Sequence, residues 1–149
     1  MFATYGTVEA AGASNRLMDA VDPEGLMTDV GQGEADSIRA AAEAGTLTMD
    51  PTVARACAAH CDELIDTLRA QVRTAQQLAK QSGYGGFASS TELQTGFGNK
   101  GNEAASILRA YQEAAFKYKA AFLAAGQLFA EADAANADSL RLIAPGEQR

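Results

Sequence analysis

Apolar and small side chains recur in the second half of the chain at Ala104, Leu108, Tyr111, Ala115, Tyr118, Phe122, Ala125, Phe129 and Ala132, in alternating steps of four and three. Such steps return to one side of an α-helix with about 3.6 residues per turn. Eight consecutive intervals in register predict one long helix with a single packing stripe. The next position in the series is the polar Asn136, so the stripe stops at Ala132, and the helix is expected to fade near Ile143, before Pro145 and Gly146. Its start is placed near Ser89, which with Glu92 has the spacing of a capping box. Gly96, Gly98 and Gly101 each weaken a helix by up to about 1 kcal/mol relative to Ala and mark a soft stretch near that start.

An earlier stripe runs through Ala54, Cys57, Cys61, Leu64, Leu68, Ala75 and Leu78, with Gln71 as its one polar member. Asp50 and Pro51 precede it. An aspartate accepts bonds from free N–H groups at a helix start, and proline suits the first helical position. The helix is expected over residues 50–81, and the glycine-rich Ser82-Gly83-Tyr84-Gly85-Gly86-Phe87 ends it. A shorter helix is expected over residues 34–44, stopped by Gly45. Residues 1–33 show no sustained period and are read as a loosely ordered segment, with a turn of helix around residues 15–21.

Two long helices joined by a short turn most simply run antiparallel. The expected fold is all-α: a long antiparallel helical hairpin (about 50–81 and 89–142) within a domain spanning residues 34–149, with a short helix (about 34–44) before it. One stripe per helix seldom offsets the entropy of ordering the chain. The hairpin therefore needs a cover, either the helix at 34–44 or a second polypeptide, and is four-helix-bundle-like when paired. Leu108, Tyr111, Ala115, Tyr118, Phe122 and Ala125 are the expected core and interface positions.

Composition supports the helical reading. Alanine, the best intrinsic helix former, occurs 33 times in 149 residues. The net charge of −7 with scattered Lys and Arg argues against nucleic acid as a partner, because phosphate binding requires a basic patch. No run approaches the roughly 20 apolar residues of a membrane span. The first 13 residues hold a Glu and no Lys or Arg, unlike a Sec signal peptide. A cytoplasmic location, or export by a route that does not read such a peptide, is expected.

Catalytic chemistry finds little support. Cys57, His60 and Cys61 suggest a metal site, yet the chain holds no other Cys or His to complete a four-ligand zinc set, and packing is the better reading of the thiols. A triad would have to use His60, the sole histidine. Glu131 and Asp133, two apart on a helix, face different directions. Gly83, Gly85 and Gly86 lack the Lys-Ser/Thr of a phosphate loop. No catalytic residue, cofactor or metal is expected, and the chain is read as a non-enzyme that acts through protein contacts.

Two further elements stand out: the aromatic residues Tyr84 and Phe87 in the glycine-rich turn, and the aromatic–acid pair Phe129 and Asp133, four apart on one helix face. A helix, a Gly-aromatic turn (GYGGF, residues 83–87), a second helix and an aromatic-x-x-x-acid element resemble the WXG-type proteins of the actinobacterial type VII secretion system and their secretion-associated relatives. Residues 48–142 carry the resemblance, including MDPTVARACAAHCDELIDTLR and GFGNKGNEA. It implies that FAEAD supplies the export motif on Phe129 and Asp133, with Phe where the family has Tyr. It also implies that Tyr84, Gly85, Gly86 and Phe87 form the turn motif, without its Trp. The function so implied is that of an ESX-like secretion-associated helical protein, an exported substrate or partner subunit. It would be cytoplasmic before export and then secreted or held at the cell surface, binding a helical partner or its own copy and the secretion machinery. The alternative is a cytoplasmic adaptor or chaperone-like module covering a larger effector's helices. Asp133, next to Ala132, is expected to project from the flank of the stripe toward solvent.

Overall fold

A computed structural model describes residues 29–143. Among these residues the protein is all-α, with four helices and no strand: α1 (Gln32–Glu43), α2 (Pro51–Ala79), α3 (Ala88–Ala125) and α4 (Phe129–Ile143). The turn of helix expected around residues 15–21 lies outside the described residues. The segment set apart as 1–33 ends inside α1, because Gln32 and Gly33 are already helical.

The helix ends follow local chemistry. The Asp50 carboxylate accepts from the backbone N–H of Thr52 at 2.8 Å and of Val53 at 3.4 Å, with Pro51 in the first turn. Gly45, at φ +77°, closes α1, and the Thr46 N–H reaches back to the Ala41 carbonyl, the six-to-one bond of a Schellman cap. The expected capping box at Ser89 does not form. Phe87 is the residue that precedes the helix, α3 begins at Ala88, and no side chain caps it.

The expected helix over 89–142 is two helices. After Ala125 the chain turns through Gly126 and Gln127, the latter at φ +60°. The Leu128 N–H bonds to the Leu123 carbonyl, and that of Gln127 to Ala124, so a Schellman cap ends α3 with glutamine in the left-handed position that glycine usually takes. The Met49 N–H also binds the Ala125 carbonyl, 2.8 Å away. Phe129 and Ala132 therefore belong to a separate helix.

α3 is the element on which the others assemble. α1, α2 and α4 each pack against it, and no two of them pack directly on each other along their backbones. The start of α2 meets the end of α3, where a Cβ placed on Gly126 would lie 2.5 Å from the Ala54 Cβ. The end of α2 meets the first half of α3, where a Cβ on Gly101 would lie 2.8 Å from the Ala79 nitrogen and 2.9 Å from the Ala75 oxygen. Gly98 is nearly as close to the Ala79 carbonyl. The helix is continuous through Gly96, Gly98 and Gly101, and Gly101 is a contact point instead of a soft spot.

The stripe of α2 is corrected by half. Ala54, Ala58, Ile65, Leu68, Val72 and Ala75 are buried, whereas Leu64 and Leu78 are about half exposed. Ile65, Leu68, Ala115 and Phe116 form one core cluster with Leu108 and Leu142 against it. A second cluster joins Ala42, Ala58, Ala120, Leu123, Ala124, Ala125, Ala132 and Ala135, with Met49 and Leu128. Within the expected α3 stripe, Ala115 and Ala125 are buried, Leu108, Tyr118 and Phe122 are half-buried, and Tyr111 is exposed. Tyr118 and Phe122 sit ring to ring at 6.4 Å. The cover foreseen for the two long helices is partly internal, since α1 lies on one flank of α3 and α4 on another.

Two substitutions test this packing by sign. Helix propensity alone gives Gly101→Ala a gain of about 1 kcal/mol, but a methyl against the backbone of α2 forces the helices apart at about 1–3 kcal/mol. We expect a net loss in denaturant melts, and a gain would show that the helices do not meet there. Gln127→Gly relieves a left-handed conformation that costs an L-residue about 1–2 kcal/mol and is expected to raise stability. Were residues 89–142 a single helix, the same change would lower stability by about 1 kcal/mol.

Candidate functional site

The residues singled out by the sequence fall at two places. The first is the N-terminal turn of α4. Phe129 opens the helix and is 46% exposed, while its neighbour Leu128 packs on the core. One turn later Ala132 is fully buried, which fixes the rotation of α4 and sets Glu131 and Asp133 on either side of the contact line.

Each acid is held by a different helix. A guanidinium nitrogen of Arg39, on α1, donates to the Asp133 carboxylate at 2.7 Å, and Arg39 Nε donates to Glu43 at 2.8 Å. Arg55, on α2, reaches Glu131 at 3.1 Å. Asp133 projects toward solvent, as the sequence suggested, with its side chain 71% exposed, and there it is ion-paired. Partial burial of Arg39 opposes its charge, but the bonds to Glu43 and Asp133 outweigh that and push its pKa up. Arg39 and Arg55 are site residues that the sequence did not disclose. The spacing of Arg39 and Glu43 signals a helix pair, but nothing along the chain connects Arg39 to an acid 94 positions away.

The second place is the turn between α2 and α3. Gly83 and Gly85 adopt φ of +93° and +103°, a region that side chains rarely occupy. Tyr84 folds back and stacks on Phe97 at 6.0 Å with 14° between the rings. Phe87 is 79% exposed. The turn lies at the opposite end of α3 from Phe129, so the two motifs form no common site.

An open groove of about 340 Å³ between α2 and α4 is lined by Arg55, Asp62, Lys119, Leu123, Glu131 and Asp138, among others. Its charges are matched: Lys119 binds Asp62 at 2.7 Å, Arg141 binds Asp138 at 2.7 Å, and Arg55 binds Glu131. Cys57 and Cys61 are half-buried on α2. Burial, together with Asp62 and Cys57, pushes the Cys61 thiol up, away from the reactive thiolate. His60 points outward, 3.7 Å from Glu63. Among the described residues no three His, Cys, Asp or Glu side chains gather as metal ligands, and no helix is long and apolar enough to cross a membrane. Family models, curated proteins and solved structures were each compared with the chain, and none matches it.

The two ion pairs tie α4 to α1 and α2 without being strong. For a partly exposed pair such as Arg39–Asp133, a double-mutant cycle of Arg39→Ala and Asp133→Asn is expected to give about 0.2–1 kcal/mol of coupling, declining as salt is added. Zero coupling at low salt would show that α1 does not hold α4.

Proposed function

We propose that the chain is a type VII, ESX-like secretion-associated helical protein, acting through protein–protein contacts as an exported substrate or partner subunit. In this reading α2 and α3 form an antiparallel hairpin, completed to a four-helix bundle by a helical partner or a second copy. The observation that carries the proposal is the placement of the aromatic–acid element. Phe129 and Asp133 lie on a separate short helix after the two long ones, with Phe129 about half exposed and much of the carboxylate at the surface. A motif so placed can be read by another protein without unpacking the core. The acid's structural part is its pair with Arg39, worth about 0.2–1 kcal/mol, so recognition and folding are separable there.

The test is secretion. Asp133→Asn removes one exposed ion pair, and stability is expected to change by no more than about 1 kcal/mol. In a host with an active type VII system the variant is expected to remain in the cells while the wild-type chain reaches the medium. Normal secretion of a folded Asp133→Asn variant would remove the export reading.

The cytoplasmic adaptor reading draws on a different observation. Leu78, Leu93 and Phe97, in the half of α2 and α3 next to the turn, are each about half exposed, a surface suited to covering another protein's helices.

A further inference from the structure

We infer that the exposed face of α3 between Leu93 and Tyr111 is a docking surface for the chain's own N-terminal segment, residues 1–28. Leu93, Phe97, Ala104, Ile107 and Tyr111 follow one another in steps of four and three, with seven from Phe97 to Ala104, and so share one side of the helix. All but Ala104 are more than a third exposed. The stripe continues to Tyr118, and there its surroundings change, because Gly31 lies against the Tyr118 ring.

The direction of α1 brings the chain's entry to the end of α3 that carries this stripe. Gln32 donates to the Ala110 carbonyl, Asp36 pairs with Lys117, and Ala42 shares a core cluster with Ala120 and Ala124. α1 thus runs beside α3 in the same sense, and the chain enters it from the side of Ile107 and Leu93. The Asp29 carboxylate accepts from the N–H groups of Gly31 and Gly33 and fixes that entry point.

Reach and charge agree with this occupant. From Tyr111 to Leu93 the stripe is about 27 Å long, and 28 residues span about 42 Å even as a helix. The segment carries Glu9, Asp19, Asp22 and Glu24 against Arg16, whereas residues 70–111 hold Arg73, Lys80, Lys100 and Arg109 against Glu92 and Glu103. The segment is thus net acidic where residues 70–111 are net basic, and the two charges are complementary. It also supplies apolar side chains, Leu17, Met18 and Val21 among them, to meet the stripe.

The chain has no Trp, so Leu17→Trp in the full-length protein gives a single reporter. Its emission is expected to be blue-shifted, and its quenching by acrylamide several-fold weaker, relative to the same chain in urea. Both effects should be independent of protein concentration and should be lost in Phe97→Lys/Ile107→Lys with helicity retained. Because Phe97 also stacks on Tyr84, Ile107→Lys alone serves as a second variant and is expected to weaken the protection. Solvent-like emission in the native protein would overturn the inference. So would protection indifferent to both stripe variants, which would place the segment elsewhere. Protection that appears only as the chain self-associates would assign the face to a second copy and overturn it equally.

Discussion

Two backbones meet where α2 crosses α3 at Gly101, and the rest of the structure depends on that approach. With no side chain at Gly101 and only alanines at positions 75 and 79, the helices come close enough that a single added methyl would strike main-chain atoms. At the other end Gly126 faces Ala54, and there an added methyl would strike the Ala54 side chain. Between these points Ile65 and Leu68 settle against Ala115, Phe116 and Leu108. Small residues let helices draw near, and dispersion among many close atoms then supplies attraction that no single contact provides. An alanine-rich pair is stable only when it is close.

That closeness organises the remaining helices. α4 folds back beside α3 because the chain reverses at Gln127, and it buries Ala132, Ala135 and Ser139. α1 covers the other flank through alanines and a polar contact, Gln32 with the buried Glu113. Burial of Ala132 sets the first turn of α4, and ion pairs from Arg39 and Arg55 add weak ties to α1 and α2. In the proposed reading, a recognition element sits on a short helix steadied by its surroundings, with its aromatic residue about half exposed. Among the described residues, coverage of α3 by α1 and α4 ends near Tyr111, and beyond it Leu93, Phe97 and Ile107 are more than a third exposed.

Much of this architecture was legible in the sequence. Asp50 with Pro51, Gly45 and the glycines after Ser82 announce where helices start or stop, because each acts on local backbone chemistry. The packing register was only half legible. Ala54, Cys61, Leu68 and Ala75 belong to two possible heptads, one completed by Cys57, Leu64, Gln71 and Leu78, the other by Ala58, Ile65, Val72 and Ala79. Large leucines favour the first by eye, and the polar Gln71 was the sign that it is wrong. The break after Ala125 was hidden because glutamine, not glycine, takes the left-handed position, and Phe129 and Ala132 happen to continue the spacing. The central place of α3 was hidden too, since alanine on every side gives a helix little contrast between faces. Of the candidate site, Phe129 and Asp133 stood out by motif. Arg39 and Arg55 did not, because long-range partners leave no local trace.

The contact between the two long helices is what the packing of the whole molecule rests on. Nuclear Overhauser spectroscopy on the full-length chain measures it directly, through the α-protons of Gly101 and Gly126. Strong cross-peaks are predicted from Gly101 to Ala75 and Ala79, and from Gly126 to the methyl group of Ala54. Their absence, with Ala75 and Ala79 showing contacts only within their own helix, would contradict the close approach on which the packing of all four helices rests.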